Sequence, residues 1–285
     1  MEANRDEPAR TLRVTAGDGA TSQLLLVGPP DASRWLYWLP AMGVPAKHYL
    51  PLAQALAARG TAVALHEWRG NGSSDRRAGR GQDWSYRTLL HDDLPAGLAA
   101  ARAAWPRTPC WMGGHSLGGQ LAALHVGMQP EQAAGLVLVA SGAPYWRRFR
   151  HAWLIGAAYV AAPALAGALG HFPGRRIGFG GNEARGVIRD WARSGRTGRY
   201  AAQGLGDLEA GMASFGGAVL ALRLRDDWLG PAASLEWLLG KLPGAQVTRE
   251  LLTPQDLQAK ADHFSWMKTP QVVAARIADW LDRAP

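Results

Sequence analysis

Ser116 stands in Gly114-His115-Ser116-Leu117-Gly118, a Gly-x-Ser-x-Gly pentapeptide, and that pattern serves nucleophilic attack on a carbonyl carbon. A serine hydroxyl is a poor nucleophile until a base removes its proton, so the residue must stand clear of the backbone where an imidazole can reach it. A sharp turn from strand to helix does this. It also crowds the chain on both sides of the serine, and this explains glycines at 114 and 118. The context fits, because Pro109 to Met112 reads as a short buried strand and Leu117 to Met128 as a helix of small residues.

Such a serine needs a base and an acid that orients it, and on an elbow of this kind they follow the nucleophile in the order acid, then histidine. After Ser116 the histidines are His125, His151, His171 and His263. His125 lies in the helix that leaves the elbow, and His151 and His171 fall in a stretch where the alternation of strands and helices stops. His263 occupies a loop after the last expected strand and is the expected base. The acid should follow the penultimate strand, since loops at the carboxyl ends of parallel strands line the crevice where ligands bind. Asp226 and Asp227 both satisfy this, and the spacing to Pro231 favours Asp227, with Asp226 as the alternative. Asp207, Asp256 and Asp262 are worse placed. For the oxyanion, two backbone N–H donors are expected: Leu117, just after the nucleophile, and Met42, in the turn after the third strand, where Pro40 has no N–H to give.

The elements that must position these groups can be read along the chain. Thr11 to Ala16, Ser22 to Val27 and Arg34 to Leu39 read as strands separated by Gly/Pro/Asp turns, so the chain opens antiparallel. A helix from about Lys47 to Ala58 leads to a strand at Thr61 to Leu65, after which strand and helix alternate, as parallel crossovers require. Trp84 to Trp105 reads as mostly helical, with His91, Asp92 and Asp93 on its exposed side and a kink or break at Pro95. Gly135 to Ala140 is an apolar run typical of a buried parallel strand. Strands at Val219 to Leu224 and Gln246 to Leu252, and helices at Ala232 to Leu239 and Pro270 to Arg283, complete the series.

Between residues 145 and 215 lies an insertion. Ala152 to Gly170 is apolar enough to raise the question of a membrane span, but Gly156, Pro163, Gly167 and many alanines argue instead for a lid helix pair broken at Pro163. Phe172 to Arg176 and Gly178 to Gly181 read as loops, and Ala184 to Arg193 as a short amphipathic helix. At 285 residues with no linker-like tract, the chain is one domain, with residues 11–144 and 216–285 as core and 145–215 as a cap. The first ten residues are charged, without the apolar stretch of a secretory signal, and Cys110 is the only cysteine; both fit a reducing cytoplasm. The net charge of +8 is concentrated: ten arginines and two acids lie between Tyr145 and Tyr200, and the remainder is neutral. A basic insert on a neutral body fits an acidic carrier or phosphorylated substrate, or else a solvated arginine face. No nucleic-acid-binding motif accompanies it.

Pro40-Ala-Met-Gly-Val-Pro-Ala46, Arg69-Gly-x-Gly-x-Ser74, Gly114-His-Ser-Leu-Gly-Gly119, Asp226-Asp-Trp-Leu-Gly-Pro231 and His263-Phe264 together resemble the α/β-hydrolase superfamily. The resemblance is nearest to a bacterial group of hydrolases related to the serine aminopeptidase (S33) and lysophospholipase-like branch, whose cap Phe172 to Gly181 also resembles. Glu67 stands where that pattern has Asp, and Pro40-Ala41 replaces the more usual His-Gly. The resemblance implies a mostly parallel eight-stranded sheet flanked by helices, with a helical cap after the sixth strand, and a hydrolase needing no metal or cofactor. A serine at 116 excludes the aspartate chemistry of dehalogenases and epoxide hydrolases, which leaves acyl transfer to water. The expected reaction is hydrolysis of a carboxylic ester with an apolar acyl group. A thioesterase, an S33-like aminopeptidase and a non-catalytic binding module are the alternatives.

Overall fold

The computed structural model describes residues 9–284, so most of the segment on which the leader expectation rests lies outside the described residues. Ten strands occur in chain order: β1 (Arg10–Thr15), β2 (Thr21–Val27), β3 (Arg34–Leu39), β4 (Thr61–Leu65), β5 (Cys110–His115), β6 (Gly135–Val139), β7 (Phe172–Pro173), β8 (Asn182–Glu183), β9 (Ala218–Leu224) and β10 (Gln246–Leu252). Eight form one sheet in the order β1-β2-β4-β3-β5-β6-β9-β10, and β7 and β8 make a separate two-residue ladder. β1 and β2 pair antiparallel, as do β2 and β4; from β4 to β10 all pairings are parallel.

The central strand shows why the sheet is buried on both faces. β3 reads Arg-Trp-Leu-Tyr-Trp-Leu, with successive side chains pointing to opposite sides. Trp35, Tyr37 and Leu39 join one core with Leu121 and Leu136, whereas Leu36 and Trp38 join the other with Leu52 and Ile277. Chain direction across the sheet reverses between β3 and β5: β3 leads outward to β4, while β5 leads the other way to β6 and β9. A crevice at the carboxyl ends of those two strands follows, and ligands of open α/β sheets bind there. The turn after β3 and the elbow after β5 are the two segments that meet in it.

Between β6 and β9 the chain leaves the sheet. The expected helix pair broken at Pro163 is instead one continuous helix, Ala152–Leu169, with Pro163 inside it. Proline removes the N–H that would bond the carbonyl four residues earlier, here that of Tyr159. Arg196 Nη1 donates to that carbonyl at 2.8 Å, so the orphaned acceptor is satisfied and the helix continues. Arg196 belongs to the amphipathic helix Arg185–Thr197, which extends four residues beyond its expected end and packs against the long helix through Tyr159 and Trp191, ring centroids 4.6 Å apart. The segment expected to be loop between Phe172 and Gly181 holds β7 and a helical turn, Gly174–Ile177.

A second correction concerns Asp93, expected on an exposed helix side. It is buried and accepts a 3.0 Å hydrogen bond from Arg69 Nε, while Arg69 Nη2 also bonds Asp18. The backbone around it, Leu89–Asp93, is a wide π-helical turn that runs straight into the helix Leu94–Arg102, so the helical run is distorted just before Pro95 but not broken there. Two of the aspartates set aside as triad acids have local structural roles. Asp207 caps the helix Leu208–Ser214, and Asp256 forms a reciprocal cap with Thr253.

Candidate active site

Ser116 sits at φ 54° and ψ −120°, a conformation that side-chain-bearing residues rarely adopt. The turn is held by Ser116 N–H donating to the Val139 carbonyl (3.2 Å) and Ser141 Oγ donating to the Ser116 carbonyl (2.7 Å). The two flanking glycines are required by contact. A Cβ on Gly114 would lie 2.4 Å from the carbonyl carbon of Gly118, and one on Gly118 would lie 2.0 Å from the Leu39 carbonyl oxygen. The helix Leu117–Met128 therefore starts directly against the end of β3. Leu117 is its first residue, so its N–H has no acceptor within the helix.

His263 and Asp227 are brought together. His263 Nδ1 lies 2.8 Å from Asp227 Oδ2, and both residues are buried. The other carboxylate oxygen, Oδ1, accepts the N–H groups of Leu229 and Gly230, each at 2.9 Å, which fixes the carboxylate plane. With Nδ1 occupied, Nε2 is the nitrogen left to act on a hydroxyl. Asp226 does something else: its side chain lies at the surface beside Arg225, and its backbone N–H donates to the Ala261 carbonyl at 2.9 Å. That bond ties the histidine loop to the acid loop. Asp262 shapes the same loop by accepting the N–H groups of Phe264 (3.0 Å) and Ser265 (2.8 Å).

Ser116 and His263 line a single cavity of about 520 Å³, together with Met42 and Leu117. In the turn after β3, the Ala41 N–H donates to Tyr49 Oη at 2.9 Å, and Met42, the expected oxyanion donor, follows it. Gly43 follows at φ +73°, where a Cβ would lie 1.9 Å from Gly181 N. The loop Gly178–Gly181 of the insertion thus packs straight onto this turn. Glu67, the departure from the family pattern, has its own use here. Its longer side chain accepts the N–H of Ala46 (3.1 Å) and of Ser73 (3.2 Å), which links the turn to the loop after β4.

Three residues at the site carried no signal on their own in the sequence. Tyr49 accepts from Ala41 N–H and lies 2.8 Å from His115 Nδ1, and the His115 ring lies 4.7 Å from that of His263. Burial, with the His263 charge beside it, holds the His115 pKa well below the usual histidine range, so it is a neutral acceptor for the Tyr49 hydroxyl. Trp266 donates Nε1–H to the His263 carbonyl at 3.0 Å. Glu183 is buried beside the turn after β3 and accepts the Gly181 N–H at 2.9 Å.

Burial pushes the Glu183 pKa up to about 7, against the Gly181 hydrogen bond and the Arg175 charge, which act the other way. A raised folded-state pKa means that its contribution to stability is complete below the ordinary value of 4.5 and is lost as pH rises through about 7. The difference in melting temperature between wild type and Glu183→Gln should therefore move against wild type between pH 4.5 and 7. Parallel curves for the two proteins would show that Glu183 ionises as freely folded as unfolded.

A parallel-dominated sheet of this order, with a serine elbow after β5 and a buried Asp–His pair beyond β9, defines the molecule as an α/β hydrolase. Residues 34–191 match the serine aminopeptidase S33 family model, more than half of the chain, and the protein belongs to that family. The chain is similar in structure to a hydrolase from Pseudomonas aeruginosa PA01, at 20% identity and TM-score 0.59, covering 97% of this chain and 99% of the other. It is also similar to an esterase from Exiguobacterium antarcticum (15% identity, TM-score 0.63, 96% and 100% covered) and to one from Pyrococcus furiosus (15%, 0.62, 97% and 91%). At these identities the likeness concerns the fold. No curated protein matches the chain.

Proposed function

We propose that this protein is a serine hydrolase that cleaves carboxylic esters with an apolar acyl group through an acyl-enzyme, with residues 145–215 serving as the cap over its site. Ser116 Oγ attacks the ester carbonyl as His263 Nε2 takes its proton, and Asp227 stabilises the resulting imidazolium without taking a proton itself. Negative charge develops on the carbonyl oxygen, where the N–H groups of Met42 and Leu117 receive it. Collapse breaks the C–O bond, and the alcohol leaves with the proton from His263. Water then gives a proton to the same nitrogen, attacks the acyl carbon and releases the acid, and Ser116 recovers its hydrogen.

The observation that carries the ester reading is the cavity wall. Its side chains are apolar apart from Ser116, Gln120, Tyr159 and His263, with Phe149, Ile155, Phe179 and Trp191 contributed by the insertion. Among the described residues that line it there is no carboxylate to hold a substrate ammonium group, which an aminopeptidase would want, despite the family's name. There is also no arginine, so a phosphorylated carrier would have to be met outside the cavity. The thioesterase reading keeps one supporting observation, the exposed arginines 147, 148, 150, 175 and 176 of the insertion.

A panel of p-nitrophenyl esters, acyl-CoA thioesters and aminoacyl amides at matched acyl length separates these readings. The ester should have the highest kcat/KM and show little response to salt. A thioester preferred over the ester, with kcat/KM falling as salt screens attraction over a Debye length of about 10 Å at 0.1 M, would move the assignment to an acidic carrier. Preference for the amide would restore the peptidase.

A further inference from the structure

The helix Ala152–Leu169 is 18 residues long without a charged side chain, has a mean hydropathy of 1.7, and buries only 17% of its residues. Tyr159, Ala162 and Ala166 face the rest of the insertion, and most of the remaining surface is open: Trp153 is 70% exposed and Val160 62%. A helix apolar on all sides normally sits inside a core or a bilayer, and this one is not inside the core. Its open face continues to the mouth of the cavity. Ala158 lines the cavity, Leu154 and Leu165 lie in the same row at helical spacing, and the exposed Ile177, Trp228 and Phe264 also line the opening.

We infer that this face is a docking surface for an anionic lipid bilayer, on which the protein lies with the cavity mouth turned to the lipid. Charge selects the occupant. Arg147, Arg148 and Arg150 precede the helix and Arg175 and Arg176 stand beside Ile177; all five are exposed, and none forms an ion pair among the described residues. Apolar and aromatic side chains ringed by arginines match the boundary between acyl chains and anionic headgroups. A second copy of this chain would set the same arginines against each other. Spanning is excluded by the packing, because the Tyr159 carbonyl is bonded to Arg196 and the Tyr159 ring to Trp191 on the neighbouring helix. The docking stands apart from the ester reading. That the substrate is an acyl lipid drawn from the bilayer rests on it.

The test is sedimentation with vesicles of phosphatidylcholine, with and without phosphatidylglycerol, using Ser116→Ala protein so that lipid is not consumed. Protein should pellet with the anionic vesicles, at least about tenfold more strongly than with neutral ones, and be released by salt. Trp153→Ser/Leu154→Ser/Val160→Ser should weaken binding about tenfold or more, although none of the three lines the cavity. Changing the five arginines to Gln should weaken it about a hundredfold or more, each basic residue near an anionic surface contributing about fivefold. In the wild-type background, both sets of changes should leave turnover of a short soluble ester intact and lower turnover of a lipid presented in anionic vesicles. Absence of binding to anionic vesicles at low salt, binding indifferent to the Trp153 set, or a stable dimer that buries this face would each overturn the inference. If vesicles bind but no acyl lipid or soluble ester is cleaved, docking stands and the ester reading fails.

Discussion

Replacing Ser116 by alanine is expected to lower kcat by about four orders of magnitude or more, with His263→Ala close to it, because members of a triad act as a unit and losing either removes nearly the whole effect. KM should change little, since the cavity wall proposed to hold the acyl group is untouched. The expectation rests on the elbow more than on the motif. Ser116 is held at a positive φ by bonds to Val139 and Ser141, and a purely structural turn would place glycine there at lower cost. Ser116→Ala should fold, because Ser116 is only partly buried and alanine fits within the space that it leaves. An unchanged melting temperature alongside the lost rate would separate chemistry from stability.

Asp227→Asn is expected to slow turnover by about four orders of magnitude, whereas Asp226→Asn should leave it within a few-fold of wild type. The geometry gives the reason. Oδ1 of Asp227 receives two backbone N–H groups, from Leu229 and Gly230, so an asparagine must keep its carbonyl oxygen there. Its amide NH2 then takes the Oδ2 position, 2.8 Å from His263 Nδ1, and donates to it. The imidazole is forced into the tautomer that carries its proton on Nε2, which cannot accept one from Ser116. Asp226 contributes through its backbone N–H to Ala261, which asparagine retains. Comparing the two variants by stopped assays on one ester checks the assignment, and the reverse order of effects would transfer the orienting role to Asp226.

The strands were legible because their signals are local. β3 and β4 fall at the expected residues, as do β10 and the helix Leu117–Met128, since an apolar run or alternation bounded by glycine or proline needs no distant partner to be read. The order of Ser116, Asp227 and His263 was legible because each follows a strand of the sheet, and loops at the carboxyl ends of parallel strands line the crevice. What sequence reasoning missed depends on contacts across long separations. Pro163 signals a break, but Arg196, 33 residues on, satisfies the carbonyl that it frees. Asp93 reads as a solvent-facing acid until Arg69 is folded against it. Tyr49 has no motif around it, and only the folded chain places its hydroxyl between the Ala41 N–H and His115. Glu67, which departs from the usual pattern, turned out to bridge two loops at the site.

The central claim is that Ser116 forms the covalent intermediate, and fluorophosphonate labelling read by intact mass and peptide mapping tests it most directly. Wild type should gain one adduct, located on the peptide that contains Ser116, and Asp227→Asn should gain it far more slowly. Ser116→Ala should gain none. An adduct mapped to another residue, or one that persists in Ser116→Ala, would contradict the account.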